Sequence, residues 1–467
     1  MLNSKALWVL ILGFAVFHVA LAALIPLVED ETYYQLWASA PSAGYYDHPP
    51  MVAWGIAAGQ TIFGDTLLGV RAASVLASAL VSVMVYRIAW LYSRNPETAF
   101  RATLWGAAML PFSILAFAAT PDAGSVLFWT AAVWALSEVL NGNSKNWWLA
   151  VGLFAGLGVL AKFTNLFFGL ALVIWLLATR EGRSWLATWQ VWVGALIGVV
   201  VLVPLALWNM ANGFVGLERQ FGRIGEDTGF AINGVMEFWL AFVFLVTPLV
   251  FWLVARSLRM GYVPNVLIWL SAPLVIFLTF QATKTFAGGQ WLVPIFPTLA
   301  VMAALAPSKG KAILWAAPSA FAFGGLILVL GLWPGKPLVG NHLFSQMRGW
   351  DQVRAEILTL AEDNDLQWVA TDAFGLTGQL NHYMANDLWV LAVNQPERYL
   401  FRTDVPQALC DQKALFISRT KFPDGVPYFQ NKQPIFDITR KDGSREIIRY
   451  YAAIVQGPSG AHPYFCH

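Results

Sequence analysis

The chain has 467 residues, of which 58% are hydrophobic and only 12% charged, with 23 Trp and a formal net charge of +2. So few charges could not coat a soluble fold of this size, whereas a polytopic membrane protein has lipid as the solvent for most of its exterior. The small net charge names no partner and nothing points to nucleic acid. The only cysteines, Cys410 and Cys466, lack metal-ligand spacing and leave a disulfide open.

Residues 6–27 are long enough to span a bilayer. They outrun the apolar core of a signal peptide, and no convincing cleavage pattern follows, so they read as a retained first helix. Further apolar spans fall at 66–92, 100–119, 123–141, 146–161, 163–179, 188–208, 235–255, 264–282, 290–306 and 311–333, for a total of about eleven helices, each near the roughly 20 residues a bilayer needs. Alternate connections carry Lys5; Arg87, Arg94 and Arg101; Lys145; Arg180 and Arg183; Arg256 and Arg259; Lys309 and Lys311. The positive-inside rule makes those loops cytoplasmic and places the N-terminus inside. The other loops hold Glu29, Asp30, Glu31, Asp47, Asp65, Asp122, Glu218, Glu226, Asp227 and Glu237, and an odd helix count sends the C-terminal domain to that outer side. One overlong helix over 146–179 would flip every later loop, so the charge pattern places a break at "AKFTN", residues 161–165.

The first outer loop, 28–65, is amphipathic. "TYYQLWASA" and "MVAWGIAAGQTIF" put aromatics and aliphatics on one face, as segments lying at the membrane interface do. Asp30 and Glu31, at the end of a membrane helix, lose solvation unless paired or wet, and a carboxylate there is placed to act as a general base or to bind a cation. Asp122, in "ATPDAG", sits at the corresponding outer turn, where it also suits the start of the next helix. Arg71, Lys162, Arg219, Arg223 and Lys284 fall on the outer side against the orientation rule. Each one alone is explained by snorkelling or by pairing with an outer carboxylate. As a set gathered among acids they read as a site for an anion at the outer surface. Gly152 and Gly156 need no function beyond close helix packing.

From about Pro334 the apolar runs shorten and polar residues become frequent. "SQMRGWDQVRAEILTLAEDN" has a helical period, while "LQWVATD", "DLWVLAV", "KALFISR" and "EIIRYYAAIV" read as strands between turn residues. "TDAFGLTGQL" reads as a turn into a helix. The expected organisation is a membrane domain over 1–333 and a small α/β domain outside the membrane over 334–467.

In order along the chain, "DETYYQLW", "GYYDHPPMVAW", "FGDTLLGVR", "TPDAGSVLFW" and "LAKFTN" resemble the serial motifs of the bacterial family 39 glycosyltransferases, relatives of the protein O-mannosyltransferases and the lipid A aminoarabinose transferases. The resemblance covers the membrane half, most densely residues 30–165. In "QATKTFAGGQWLVPIFPTLA" the acidic or Asn residue usual before Trp291 is missing, which leaves Gln290 without an assigned role. The resemblance implies a glycosyltransferase C-type fold with its active site at the outer face of the bacterial inner membrane. Such enzymes take a sugar from a polyprenyl phosphate and invert its anomeric configuration. Asp30 matches the family's catalytic aspartate; Glu31, Tyr46, Asp47 and His48 would line the same cavity, with Asp122 as a second acidic wall.

Physical chemistry fits that implication. A prenyl chain needs an apolar groove and its phosphate needs cations, which Arg71, Lys162, Arg219, Arg223 and Lys284 supply. Fixed cations stabilise the charge that builds on the leaving phosphate more than they stabilise the ground state. A carboxylate opposite would deprotonate an acceptor hydroxyl; with a phosphate acceptor, Asp30 would orient it or bind metal instead. The sequence establishes no cofactor and leaves a divalent metal open: Asp30, Asp122 and His48 would form a site for one if their loops fold together. The acceptor is lipid A, another glycan or a protein, with lipid or glycan favoured. Two other readings compete. A lipid-linked sugar transporter or flippase normally places charges mid-helix, where few lie here, and a non-catalytic scaffold leaves the acidic loop and the outer cations unexplained.

Overall fold

The computed structural model describes residues 4–457 apart from 115, 223–231, 308–320, 323–324, 327–328, 330–344, 385–386, 423–428 and 430–434. The expected span 311–333 and the expected domain boundary at 333/334 therefore fall largely or wholly outside the described residues. In chain order the helices are α1 Ser4–Leu24, α2 Glu29–Ala38, α3 Met51–Phe63, α4 Leu67–Ser93, α5 Pro96–Ala108, α6 Leu110–Ile114, α7 Pro121–Leu140, α8 Trp147–Ala161, α9 Leu166–Ala178, α10 Arg180–Trp185, α11 Trp189–Val201, α12 Val203–Ala211, α13 Val215–Phe221, α14 Ile232–Val246, α15 Pro248–Arg259, α16 Asn265–Gln281, α17 Phe296–Leu305, α18 Trp350–Asn364 and α19 Phe374–Met384. The chain divides into two compact units. One comprises Met1–Ala23, Asp47–Gly55 and Arg71–Leu326; the other comprises Leu24–Tyr46, Ile56–Val70 and Ile327–His467.

The first unit is helical. Among the described residues, four helices are long and apolar enough to cross a bilayer (Lys5–Leu24, Leu67–Ser93, Pro121–Leu140 and Trp189–Ala211), and a bent pair makes a fifth. Outward-facing Val9, Leu12, Leu196 and Val199 are exposed, a surface that only lipid solvates well. Helix α8, with 15 residues, rises about 23 Å, short of the about 30 Å hydrocarbon core, so length alone does not make every apolar helix a span.

Most helix limits fall near where hydropathy placed them, but the span expected over 290–306 opens as a 3-10 stretch, Gly289–Ile295, that over 188–208 divides at Leu202, and two more are broken. The span expected over 235–255 is two helices bent by 95°. Thr247 takes φ 71° there and Pro248 opens α15, since proline is tolerated in a first helical turn and not in a helix interior. The span expected over 100–119 starts at Pro96, where Asn95 accepts from the Glu97 and Thr98 amides, and breaks at Met109 just ahead of Pro111. The break expected at "AKFTN" is present: α8 ends at Ala161, Lys162 is extended, and a 3-10 turn, Phe163–Asn165, leads into α9. Gly152 and Gly156 face Gly194 and Gly198 of α11 so closely that a Cβ at Gly152 would run into the Gly194 carbonyl.

The second unit holds a five-stranded sheet of β1 Trp368–Thr371, β2 Trp389–Ala392, β3 Lys413–Ser418, β4 Phe436–Asp442 and β5 Arg445–Gln456, in the order β2-β1-β3-β5-β4. β1 is parallel to β2 and β3, with Trp368 opposite Trp389 and Ala414; β5 is antiparallel to β3 and β4. α19 connects β1 to β2 as a crossover helix. The same unit contains residues 24–46 of the first loop. Helix α2 lies on α19, where Gly375 and Gly378 leave room for Glu29 and for the Tyr33 backbone. Tyr33, Tyr34, Leu36 and Trp37 are consequently buried in protein rather than laid on a membrane interface, which corrects the interfacial expectation for "TYYQLWASA".

Candidate active site

The first unit brings four of the expected residues together. Pro121 and Asp122 open α7, and the Lys162 Nζ, at the break between α8 and α9, donates to Asp122 Oδ1 at 2.7 Å. A second tether lies three residues on, where Ser125 and Asn165 bond side chain to side chain and Asn165 Nδ2 donates to the Ser125 carbonyl at 3.0 Å. Asn165 can sit there because Gly158 has no Cβ to meet it. Asp47 pairs with Arg219 of α13 at 3.4 Å, and Gln220 donates to its backbone carbonyl. Phe163 and Phe221 meet with ring centroids 6.2 Å apart, and a Cβ at Gly124 would be 3.4 Å from Met51 Cγ. The turns at 47–51, 121–125, 161–165 and 219–221 thus form one cluster with two carboxylate–cation pairs.

The remaining cations are placed differently. Arg71 is wholly buried in α4, donating to the Ala22 carbonyl at 3.2 Å with its guanidinium 4.9 Å from the Phe117 ring. Lys284 lies over Phe280 at 5.5 Å. Arg223 lies outside the described residues.

The second unit divides the three acids of the first loop. Glu29 is buried in an ion pair with Arg419, beyond the end of β3, and its amide donates to Gln346 Oε1 at 3.1 Å. Glu31, 1% exposed, reaches back to accept from the Val28 amide at 3.1 Å, closing the first turn of α2. Asp30 is the exposed acid of the three. Tyr46 receives the guanidinium of buried Arg398 over its ring at 5.3 Å. Tyr45 stacks on Trp37 at 4.3 Å and donates to the Trp37 and Ala40 carbonyls, so burial pushes its hydroxyl up to about 12. It is a brace for the loop.

Arg398 and Arg419 were not singled out in the sequence, because their partners lie hundreds of residues away and no local pattern marks them. Cys410 is disulfide-bonded, while Cys466 lies outside the described residues. Among the described residues no group of three or more His, Cys, Asp or Glu side chains is placed to hold a metal ion; of the expected set, Asp122 and His48 belong to the first unit and Asp30 to the second.

Residues 47–208 match the model of the dolichyl-phosphate-mannose-protein mannosyltransferase family. A lipid A galacturonosyltransferase, RgtD from Rhizobium johnstonii, is 26% identical over 309 residues, 63% of this chain and 64% of that relative, so less than two thirds of its length is matched. An undecaprenyl phosphate-alpha-4-amino-4-deoxy-L-arabinose arabinosyl transferase from Pseudomonas paraeruginosa is 26% identical over 98% of this chain and 96% of its own. The crystal structure of ArnT from Cupriavidus metallidurans bound to undecaprenyl phosphate superposes with a TM-score of 0.69, covering 97% of this chain and 98% of that one; at 15% identity this speaks for the fold alone. The fold so defined is that of the ArnT structure. By sequence the chain is similar to proteins named as lipid A and undecaprenyl-phosphate-sugar transferases, the resemblance that the serial motifs led us to expect.

Proposed function

We propose that the chain is an inverting glycosyltransferase that moves a sugar from a polyprenyl phosphate, undecaprenyl phosphate by analogy with the relatives' names, to an envelope acceptor at the periplasmic face of the inner membrane. The observation that carries this reading is the cluster of Asp122–Lys162 and Asp47–Arg219 pairs within a helical membrane unit. Both cations are partly withdrawn from water and held by a carboxylate at rest, from which they can be turned to an incoming phosphate. Lys162 and Arg219 neutralise the charge that grows on the leaving phosphate as the glycosidic bond breaks, so their effect is larger in the transition state. Asp30 takes the proton of an acceptor hydroxyl, the role the motif resemblance assigns to it.

The basic loops favour a cytoplasmic N-terminus and a periplasmic C-terminal unit, with about eleven crossings expected from hydropathy. The disulfide at Cys410 fits an oxidising compartment. Lipid A or another glycan is preferred as acceptor over protein, since one relative is named for lipid A. The transporter reading draws nothing from relatives named as transferases.

The deciding experiment is mass spectrometry of envelope glycolipids, glycans and proteins from cells carrying the parent or Asp30→Asn, with equal amounts of each protein in the membrane. A one-sugar mass loss in the variant identifies sugar and acceptor together. No difference in any fraction removes the transferase reading.

A further inference from the structure

The second unit contains a cavity of about 630 Å³, within the range that holds small ligands, and its lining includes none of the residues assigned above to transfer. It is built by α2, the end of α3 with its following turn, Gln367 ahead of β1, α19 with β2, and the segment at 402–404. His382 Nδ1 lies 2.8 Å from Gln35 Oε1; Gln35 Nε2 donates to Asp65 Oδ1 at 2.8 Å, and Gln60 Nε2 donates to the same oxygen at 2.7 Å. Because the Gln35 amide spends its N–H on the carboxylate, its oxygen must accept, which makes His382 Nδ1 the donor and fixes the ring's orientation. Trp389 forms a flat wall with the Arg402 guanidinium, 5.4 Å from its ring, and Arg402 donates to Asp404 at 3.1 Å. Asp387 on the same lining pairs with Arg354 at 2.7 Å.

This combination favours one chemistry. A sugar ring has C–H faces that pack on a flat aromatic wall and hydroxyls that both donate and accept, which side-chain amides and carboxylates satisfy in pairs. With Asp387 paired to Arg354 and Asp404 to Arg402, Asp65, which among the described residues meets only the Gln35 and Gln60 amides, leaves the lining net negative, so a phosphate or uronate is disfavoured where a neutral or amine-bearing ring is not.

From this geometry we infer that the cavity is a binding subsite for a non-anionic saccharide unit of the acceptor. The word acceptor rests on the transferase reading above; saccharide binding does not.

The test uses the purified full-length protein in detergent and saturation-transfer NMR with chitobiose and a glucosamine disaccharide, against glucose 6-phosphate and galacturonate. The first two are expected to bind at least about tenfold more tightly than the anions, a preference of about 1.4 kcal/mol. Trp389→Ala and Gln60→Ala are each expected to weaken binding about tenfold, while Asp30→Asn retains it. Gln60 is on a partly exposed helix end, so its variant reads binding even if Trp389→Ala misfolds. Absence of binding, equal binding of the anions, or retention of binding by folded Gln60→Ala overturns the subsite. Selective binding without any sugar transfer in the mass spectra overturns the transferase reading and leaves the saccharide site standing. Transfer with an acceptor KM unmoved by Gln60→Ala overturns the acceptor role.

Discussion

The acids of residues 29–31 and those at 47 and 122 begin from the same chemistry, carboxylates among aromatic residues at the ends of apolar helices, and they are used in opposite ways. Glu29, its side chain 10% exposed, and Glu31, 1% exposed, are buried and spent on architecture, one against Arg419 and the other on the first turn of α2. Asp47 and Asp122 keep 15% and 31% of their side chains exposed and hold basic residues remote in sequence. A carboxylate that has lost its water must keep its partner, whereas one at a wet edge can exchange a lysine for a substrate. Within the first turn of α2, only Asp30 is exposed.

The largest effect expected is on chemistry. Asp30→Asn removes a general base and should lower transfer about 100-fold or more with unfolding unchanged. Transfer at the parental rate would remove Asp30 from the reaction and leave it a helix-end residue. Lys162→Ala comes next. Losing one charged contact to a phosphate costs about 1.5–3 kcal/mol, so kcat/KM for the polyprenyl-phosphate donor should fall about tenfold to 100-fold. If kcat/KM is unmoved while Tm falls, the Asp122–Lys162 pair belongs with the architectural acids and the contrast drawn above fails for it.

How much of this was legible depended on how local the cause is. The break at Lys162 could be read because helix length and loop charge agree on it. Four strands could be read from their apolar runs. β4 could not, because its inward positions include Arg440, 3% exposed, with its guanidinium 4.3 Å from the Trp350 ring, and a buried arginine spoils the alternation that marks a strand. The bend at Thr247 has a visible proline but no local sign of the positive φ before it. The docking of α2 depends on Gly375 and Gly378, more than three hundred residues downstream, so the aromatics of "TYYQLW" looked interfacial when they are core. Of the site, the residue types at Asp47, Asp122, Lys162 and Arg219 were readable; which of them pair was not.

Glu29→Ala sharpens the comparison from the architectural side. It leaves Arg419 without its carboxylate close to Arg440, whose own guanidinium burial already holds below the usual arginine range. Breaking a largely buried pair costs about 3 kcal/mol or more, and the partial exposure of Arg419 reduces this to about 2 kcal/mol. Thermal unfolding in detergent should show that loss at neutral pH. An unchanged Tm would mean that Glu29 is dispensable to the fold.

The smallest effect concerns a carboxylate that belongs to neither group. Asp372 follows β1, and burial pushes its carboxyl above the usual aspartate range, with the Ser418 hydroxyl at 2.7 Å partly opposing that shift. A group whose folded pKa is raised contributes stability that is full below the unfolded pKa and is lost as pH rises through the folded value. The parent therefore gives up this contribution between acid and neutral pH, while Asp372→Asn, which can still accept from Ser418, has no charge to bury. The variant's Tm relative to the parent should increase from about pH 4 to about pH 7. A difference that stays flat would mean the carboxylate is fully solvated in the folded state. A difference that decreases would mean that Ser418 and the neighbouring Arg419 stabilise the ionised form more than burial penalises it, and Asp372 would then join Glu29 among the acids whose charge the fold uses.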